Sequence, residues 1–185
     1  DKAQKHYLSA ARAVAGALAA FAGNPCEAIR EVARVSEDST ATLLADPDSA
    51  IVLIAEKAHQ DGHAAHSLSV MTLSLLLGKQ AQLPPAALQA IGIGALLHDI
   101  GKLQVNPAIL RNNQRNRHEE AIYQSHCRSG FDAAARAGSL AQSIRHAILH
   151  HHERYDGQGF PDRLSANAVP LAARVVAIAN RFDNL

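Results

Sequence analysis

Tryptophan is absent from this 185-residue chain, and only three tyrosines and four phenylalanines are present. Alanine and leucine fill the apolar positions instead. Both lose little conformational freedom in a helix, so the composition points away from sheets. An excess of either charge is also lacking. The formal net charge is +1, which excludes a generally basic nucleic-acid-binding surface and requires any anionic ligand to be held by local charge. Cysteine is limited to Cys26 and Cys127, whose spacing offers neither a disulfide framework nor a metal-ligand pattern. Reduced thiols in a cytoplasmic protein are the expectation. Long apolar runs are missing. The stretch from Ala13 to Ala22 is too short to span a bilayer, and no membrane segment or signal peptide is legible. No strand-like alternation persists, and there is no internal repeat or low-complexity tract. The chain opens at Asp1 without methionine and stops at Leu185 inside a helical pattern, which reads as two cuts from a longer polypeptide.

What remains is helical periodicity. Residues 2–22 place Tyr7, Leu8, Val14, Leu18 and Phe21 at helical spacing. Gly23-Asn24-Pro25 stops that helix, and Pro25 opens a second to about Ala45, with Ile29, Val32, Val35, Leu43 and Leu44 as buried candidates. Asp46-Pro47-Asp48-Ser49 reads as a turn that caps a helix over residues 50–59. After Asp61-Gly62 comes a helix carrying His66, Leu68, Val70, Leu73 and Leu77, and then one from Pro84-Pro85 to His98-Asp99. A loop with Asn106-Pro107 precedes helices over 118–127, 131–136 and 140–152. The Gly-, Asp- and Pro-rich stretch 155–167 is a loop, and Pro170 opens a last helix with Leu171, Val175, Ile178 and Phe182. The expected fold is all-α, a helical extension over 1–58 followed by a helical domain over 59–185.

Eleven histidines are many for this length, and most share a stretch with carboxylates. His98-Asp99-Ile100-Gly101-Lys102 places an imidazole and a carboxylate side by side at the end of an apolar helix, borderline and hard donors for one divalent ion. The doublet alone would equally fit a buried histidine beside a capping aspartate. His150-His151-His152-Glu153 ends another helix and runs into Tyr155-Asp156-Gly157-Gln158-Gly159-Phe160-Pro161. Neighbouring helical side chains diverge by about 100°. Two adjacent histidines therefore reach one ion only if the helix stops there and the chain turns, which Gly157 and Gly159 permit.

HDIGK followed by HHERYDGQGFP resembles the HD-GYP branch of the HD phosphohydrolase superfamily, whose motif reads HD-x-GK then HHE-xx-DG-x-GYP. The likeness runs from about His66 to Leu185. His66-Ser67-Leu68-Ser69-Val70 resembles the upstream helix that supplies a first histidine. His126-Cys127-Arg128-Ser129-Gly130 resembles an H-P-x-x-G segment, and Pro170-Leu171-Ala172-Ala173-Arg174-Val175 the start of the last helix. The resemblance implies an HD-superfamily helical bundle that hydrolyses the bacterial second messenger cyclic di-GMP to pGpG or GMP. It also implies two divalent ions, iron or manganese. His66, His98 and Asp99 would hold the first ion; Asp99 would bridge to the second, completed by His126, His151 and His152; Lys102 would sit beside the scissile phosphate. Two cations about 3.5–4 Å apart can share and acidify a water and neutralise the phosphoryl oxygens. Glu153 and Asp156 would hydrogen-bond the outer imidazole nitrogens or brace the loop. Arg174 and Arg163 are candidate phosphate ligands, with a structural ion pair the alternative for an arginine at a helix start.

Three positions depart from the family pattern. Asn180 stands where the family has an aspartate completing the first metal site, and it brings an oxygen without charge. Asp183, three residues on, is a weak substitute by position. Gly62 replaces a glutamate of three-metal members, so a third ion is not expected. Phe160 keeps the ring of GYP and loses the hydroxyl. His59, His63 and His66 form a stripe, with a solvated face the preferred reading for the first two; His6, His118 and His146 read as surface or packing residues. These departures leave open a weakened or inactive module that binds cyclic di-GMP or a protein, and a phosphohydrolase of another nucleotide. Candidate partners are a diguanylate cyclase domain at the Gly157–Asp162 loop, a sensor domain in the same longer chain, and a second copy of the chain.

Overall fold

The computed structural model describes residues 2–46, 62–138 and 140–185. The expected turn after Asp46, the helix over 50–59 and His59 fall outside them. The described residues form nine α-helices: α1 (Lys2–Ala20), α2 (Pro25–Ala45), α3 (His63–Gln80), α4 (Pro85–Leu97), α5 (Pro107–Arg111), α6 (Arg117–Gln124), α7 (His126–Arg136), α8 (Gln142–His150) and α9 (Leu171–Asp183). Two 3-10 turns, Ile100–Gln104 and Ala166–Ala168, join them. No strand occurs among the described residues beyond an isolated bridge between Asp156 and Ser165. The all-α expectation is borne out.

The organising element is α4. Leu88 and every residue from Ala90 to Leu97 are buried, so beyond its exposed first turn and Gln89 the helix is surrounded on all sides. It packs against α2, α3, α8 and α9. Its C-terminal end therefore delivers His98 and Asp99 to the middle of the bundle. Tyr7, Val14 and Phe21 of the α1 segment and Ile29, Val32, Val35 and Leu43 of α2 join the same buried apolar cluster as Leu68, Val70, Ile91 and Leu96. Leu44 and Leu77 are instead exposed, as are Leu171, Ile178 and Phe182 on α9. The buried face of α9 is made of small residues, Ala172, Ala173, Val175, Val176 and Ala179, with Asn180. Small side chains let the helix lie close to α3 and α8.

Some helix ends differ from the periodicity. The segment read as one helix over 118–127 divides at Ser125, and His126 becomes the first residue of α7. No glycine or proline marks the break, and Ser125 keeps helical dihedrals. Asn116 caps α6, accepting from the backbone N–H groups of His118 and Glu119. Asn106 caps the short α5, which the sequence reads as loop. Helix α8 ends at His150, so His151 and His152 lie on a turn.

Candidate metal centre

Four elements bring four imidazoles around one carboxylate. His66 comes from the first turn of α3, His98 and Asp99 from the end of α4, His126 from the start of α7, and His151 from the turn after α8. Asp99 Oδ2 lies 3.4 Å from His98 Nε2 and 3.7 Å from His66 Nε2. Its other oxygen, Oδ1, lies 3.5 Å from His126 Nε2 and 3.6 Å from His151 Nε2. Each carboxylate oxygen thus faces its own pair of imidazoles.

The outer nitrogens set the direction of the inner ones. Nδ1 of His98, His126 and His151 donates to the carbonyl oxygens of Ala95 (2.7 Å), Tyr123 (2.5 Å) and Ile148 (2.8 Å), and Nδ1 of His66 donates to Asp183 Oδ2 (2.6 Å). Carbonyls and carboxylates only accept, so the ring proton sits on Nδ1 and a lone pair sits on Nε2. Those lone pairs face one another. His66 and His98 bring Nε2 atoms to 3.2 Å, and His126 and His151 to 3.3 Å. Neither pair can form a hydrogen bond without an imidazolium. Burial, followed by the neighbouring His151, pushes His126 down to about 3. Burial lowers His66 and His151 as well, and His152 in the same direction. Burial alone would raise Asp99, yet His98, His151 and Lys102 hold it well below the usual carboxylate range. Lowered His66, His126, His151 and His152 beside an anionic Asp99 suit metal binding, which needs deprotonated ligands.

The spacing fits as well. Two nitrogens about 2.0–2.1 Å from a tetrahedral ion lie about 3.3 Å apart, which matches both imidazole pairs. Asp99 Oδ1 and His152 Nε2 are buried without a hydrogen-bond partner. Two groups of ligand atoms converge, each within 4.8 Å: His66, His98 and Asp99, and His126, Cys127, His151 and His152. The described residues therefore contain a His/Asp cluster able to hold metal.

Two close approaches assemble it. The turn at Gly101 runs against α7 so tightly that a Cβ there would collide with the His126 carbonyl oxygen and the Gly130 nitrogen. This contact holds His126 against Asp99. At Gly159 a Cβ would collide with the backbone of His152, Glu153 and Arg154. Gly159 is thus needed for proximity, while Gly157 supplies a left-handed φ of +72°. Glu153 accepts from the backbone N–H groups of Asp162 (2.7 Å) and Leu164 (3.0 Å), so it braces the loop and does not touch an imidazole. Asp156 pairs with Arg154 and accepts from Gln158 N, again within the loop. The third histidine of the run, His150, turns the other way and meets Asp162 Oδ2 at 2.9 Å. Phe160 precedes Pro161 and stacks on His152, with ring centroids 4.5 Å apart and planes at 19°.

Lys102 Nζ reaches Asp99 Oδ2 at 2.6 Å, and Asp99 in turn holds it charged despite burial. Lys102, His151, His152 and Asn180 line a cavity of about 890 Å³ with Tyr123, Phe160 and Arg181. Arg174 does not line it, and Arg163 is exposed on the far part of the loop. Asn180 is buried, and its Oδ1 accepts from Asn184 Nδ2 at 2.9 Å. Asp183 faces the outer side of His66 and also accepts from Ser69 Oγ, so it braces a ligand from behind. The sequence reading missed Tyr123, whose ring lies under Arg115 (4.1 Å) and Lys102 (5.6 Å), and Arg181. Nothing in the primary pattern separates either from ordinary helix-surface residues. His63 and His118 are exposed, and His146 stacks on Phe131 outside the centre, as expected.

Comparison with known proteins agrees with this geometry. The HD domain family matches residues 43–185. A cyclic di-GMP phosphodiesterase of Pseudomonas aeruginosa is 28% identical over 148 residues, 80% of this chain and 36% of that protein. The cyclic di-GMP phosphodiesterase response regulator RpfG of Xanthomonas campestris pv. campestris is 33% identical over 130 residues, 69% of this chain and 34% of that protein. A 3'3'-cGAMP-specific phosphodiesterase 2 of Vibrio cholerae is 36% identical over 91 residues, 48% of this chain and 17% of that protein. The chain spans about a third of the length of the first two relatives. Among solved structures, the HDG"Y"P protein Bd1817 of Bdellovibrio bacteriovorus superposes with a TM-score of 0.78 at 20% identity, covering 97% of this chain and 58% of that one, a likeness of fold. No helix among the described residues is long and apolar enough to cross a membrane. The motif resemblance is borne out, and the chain belongs to the HD domain family.

Proposed function

We propose that this chain is the hydrolytic module of a cyclic di-GMP phosphodiesterase working with two divalent ions, iron or manganese. The observation that carries the reading is the Asp99 carboxylate, whose two oxygens each face a separate pair of imidazoles. His66 and His98 would hold one ion, with Asn180, at the position of the family's aspartate, the candidate for a further oxygen. His126, His151 and His152 would hold the other, and Asp99 both. Bound there, the pair of ions supplies an acidified water and neutralises charge on the phosphoryl oxygens.

The protein's own contribution is orientation and local charge. The Nδ1 hydrogen bonds hold each Nε2 lone pair inward, so no reorganisation is needed when ligand arrives. Lys102 Nζ, already beside Asp99, is placed to donate to a phosphoryl oxygen, and Arg181 lends a second cation at the cavity wall. Phe160 and Tyr123 add aromatic surface to the cavity wall against which a guanine can pack. Water adds across one P–O bond and the ring opens to linear pGpG; a second hydrolysis gives GMP. The relatives named as phosphodiesterases support this reading and do not favour an inactive module. Relatives named as 3'3'-cGAMP-specific support a second substrate, a cyclic dinucleotide with one adenine. The proposed setting is the cytoplasm, and the Gly157–Asp162 loop is the candidate contact for a cyclase domain.

Turnover of cyclic di-GMP and 3'3'-cGAMP by protein loaded with iron, manganese or nickel tests the proposal. Hydrolysis of the first to pGpG or GMP is expected. Full metal occupancy with neither substrate cleaved would defeat the enzymatic reading.

A further inference from the structure

The second side of the cluster contains a sulfur that the motif does not supply. Cys127 stands where the H-P-x-x-G pattern has proline. It is fully buried, and its Sγ lies 3.6 Å from His126 Nε2. His126 and Cys127 are neighbours on the first turn of α7, yet their ligand atoms converge with those of His151 and His152 within 4.8 Å. A thiolate about 2.3 Å and an imidazole nitrogen about 2.0–2.1 Å from the same tetrahedral ion lie about 3.5 Å apart. The observed separation is that of two donors on one ion.

A buried cysteine is often a small apolar filler, and an S–H donating weakly to His126 would also give a short contact. The surroundings argue otherwise. Sγ sits among inward-facing nitrogens beside Asp99, whose Oδ1 is more than nine-tenths buried and has no hydrogen-bond partner. His152 Nε2 is likewise unpartnered. An anion and several lone pairs converge there with too few protons between them.

We propose that Cys127 Sγ is a ligand of the ion held by His126, His151 and His152. The proposal rests on the reading that this cluster binds metal. It makes the two sides chemically unequal: nitrogen and oxygen donors on the His66–His98 side, nitrogen, oxygen and sulfur on the other. A sulfur donor shifts the second side toward zinc, iron or cobalt and away from manganese and magnesium. Loading releases the thiol proton.

Cobalt(II) reports both points optically. The test protein carries Cys26→Ser, which removes the exposed second thiol. Metal analysis and visible d–d bands establish that cobalt is bound, and a near-ultraviolet sulfur-to-cobalt charge-transfer band is expected beside them. Adding Cys127→Ser should abolish that band and keep the d–d bands. Bound cobalt with d–d bands but no charge-transfer band in the Cys26→Ser protein would overturn the sulfur ligand while leaving the metal centre standing. Failure to retain cobalt at all would overturn both. The Cys26→Ser spectrum decides the matter even if Cys127→Ser does not fold.

Discussion

The two sides of Asp99 are built from the same imidazole chemistry by different means. On one side, His98 is buried and braced by the Ala95 carbonyl, but His66 keeps 18% of its side-chain exposure and is braced by the Asp183 carboxylate. On the other, His126 and His151 have none, are braced by backbone carbonyls, and adjoin His152 and Cys127. A carboxylate brace raises the basicity of an imidazole and can move or be mutated independently of the fold. A carbonyl brace is part of the helix end itself. The adjustable side is therefore the one for which the proposed ligand set has Asn180 in place of an anionic ligand, and the rigid side is the one proposed to carry the full donor set. The proposed two-ion centre should then load sequentially, with the His126–His151 side the tighter.

The largest expected effect comes from removing what the two sides share. Asp99→Asn keeps the shape and loses the bridging charge, and kcat should fall by roughly 10²–10³ or more. Metal content should drop from two ions toward one or none; two ions retained at wild-type affinity would break the comparison.

Acid acts on both sides at once. A histidine whose folded pKa lies below its unfolded value adds no penalty above the ordinary range near pH 6.5, and destabilises progressively as pH falls below it. His126, lowered to about 3, by itself costs about 1.4 kcal/mol at pH 5.5. His66, His151 and His152 act in the same direction. Asp99, held low, contributes stability that is lost only below the usual carboxylate range. Metal-free protein should thus lose Tm between pH 7 and 5.5, and bound metal should shift the loss to lower pH. An unchanged Tm over that interval in the metal-free protein contradicts the lowering of His66, His126, His151 and His152.

A narrower cut is Asp183→Asn, which leaves the ligands in place and weakens the brace. Affinity for the weaker ion should fall about 10–100-fold, with the tighter ion unaffected in a metal titration; equal losses at both would mean the sides are not independent. The smallest effect is expected from Asn180→Asp, which adds charge to the weak side. Affinity there should rise severalfold, and activity at limiting metal with it. No change would remove Asn180 from the ligand set.

The architecture was largely legible because its signals are local. The periodicities of Val14, Phe21, Val32 and Leu68 mark buried faces that the bundle indeed buries, and the apolar run from Ala90 to Leu97 is buried throughout. Leu171, Ile178 and Phe182 did not follow, because α9 packs through its alanines and leaves its larger side chains outward. Glu153 looked equally suited to an imidazole or the loop, and only the path of the chain at Asp162 and Leu164 chose between them. The break at Ser125 was invisible because nothing in its dihedrals or composition opposes a helix.

By itself the order of residues determined that helices form, that one of them ends in a continuous apolar run, and that histidines with one aspartate stand at helix ends. It did so because propensity, capping and amphipathic spacing act over a few neighbouring residues. Which nitrogen points inward, that Asp183 supports His66, and that Cys127 joins the imidazoles were decided only by packing. These relations link residues as much as 117 positions apart in the chain, and they exist only once α3, α4, α7 and α9 meet at close range.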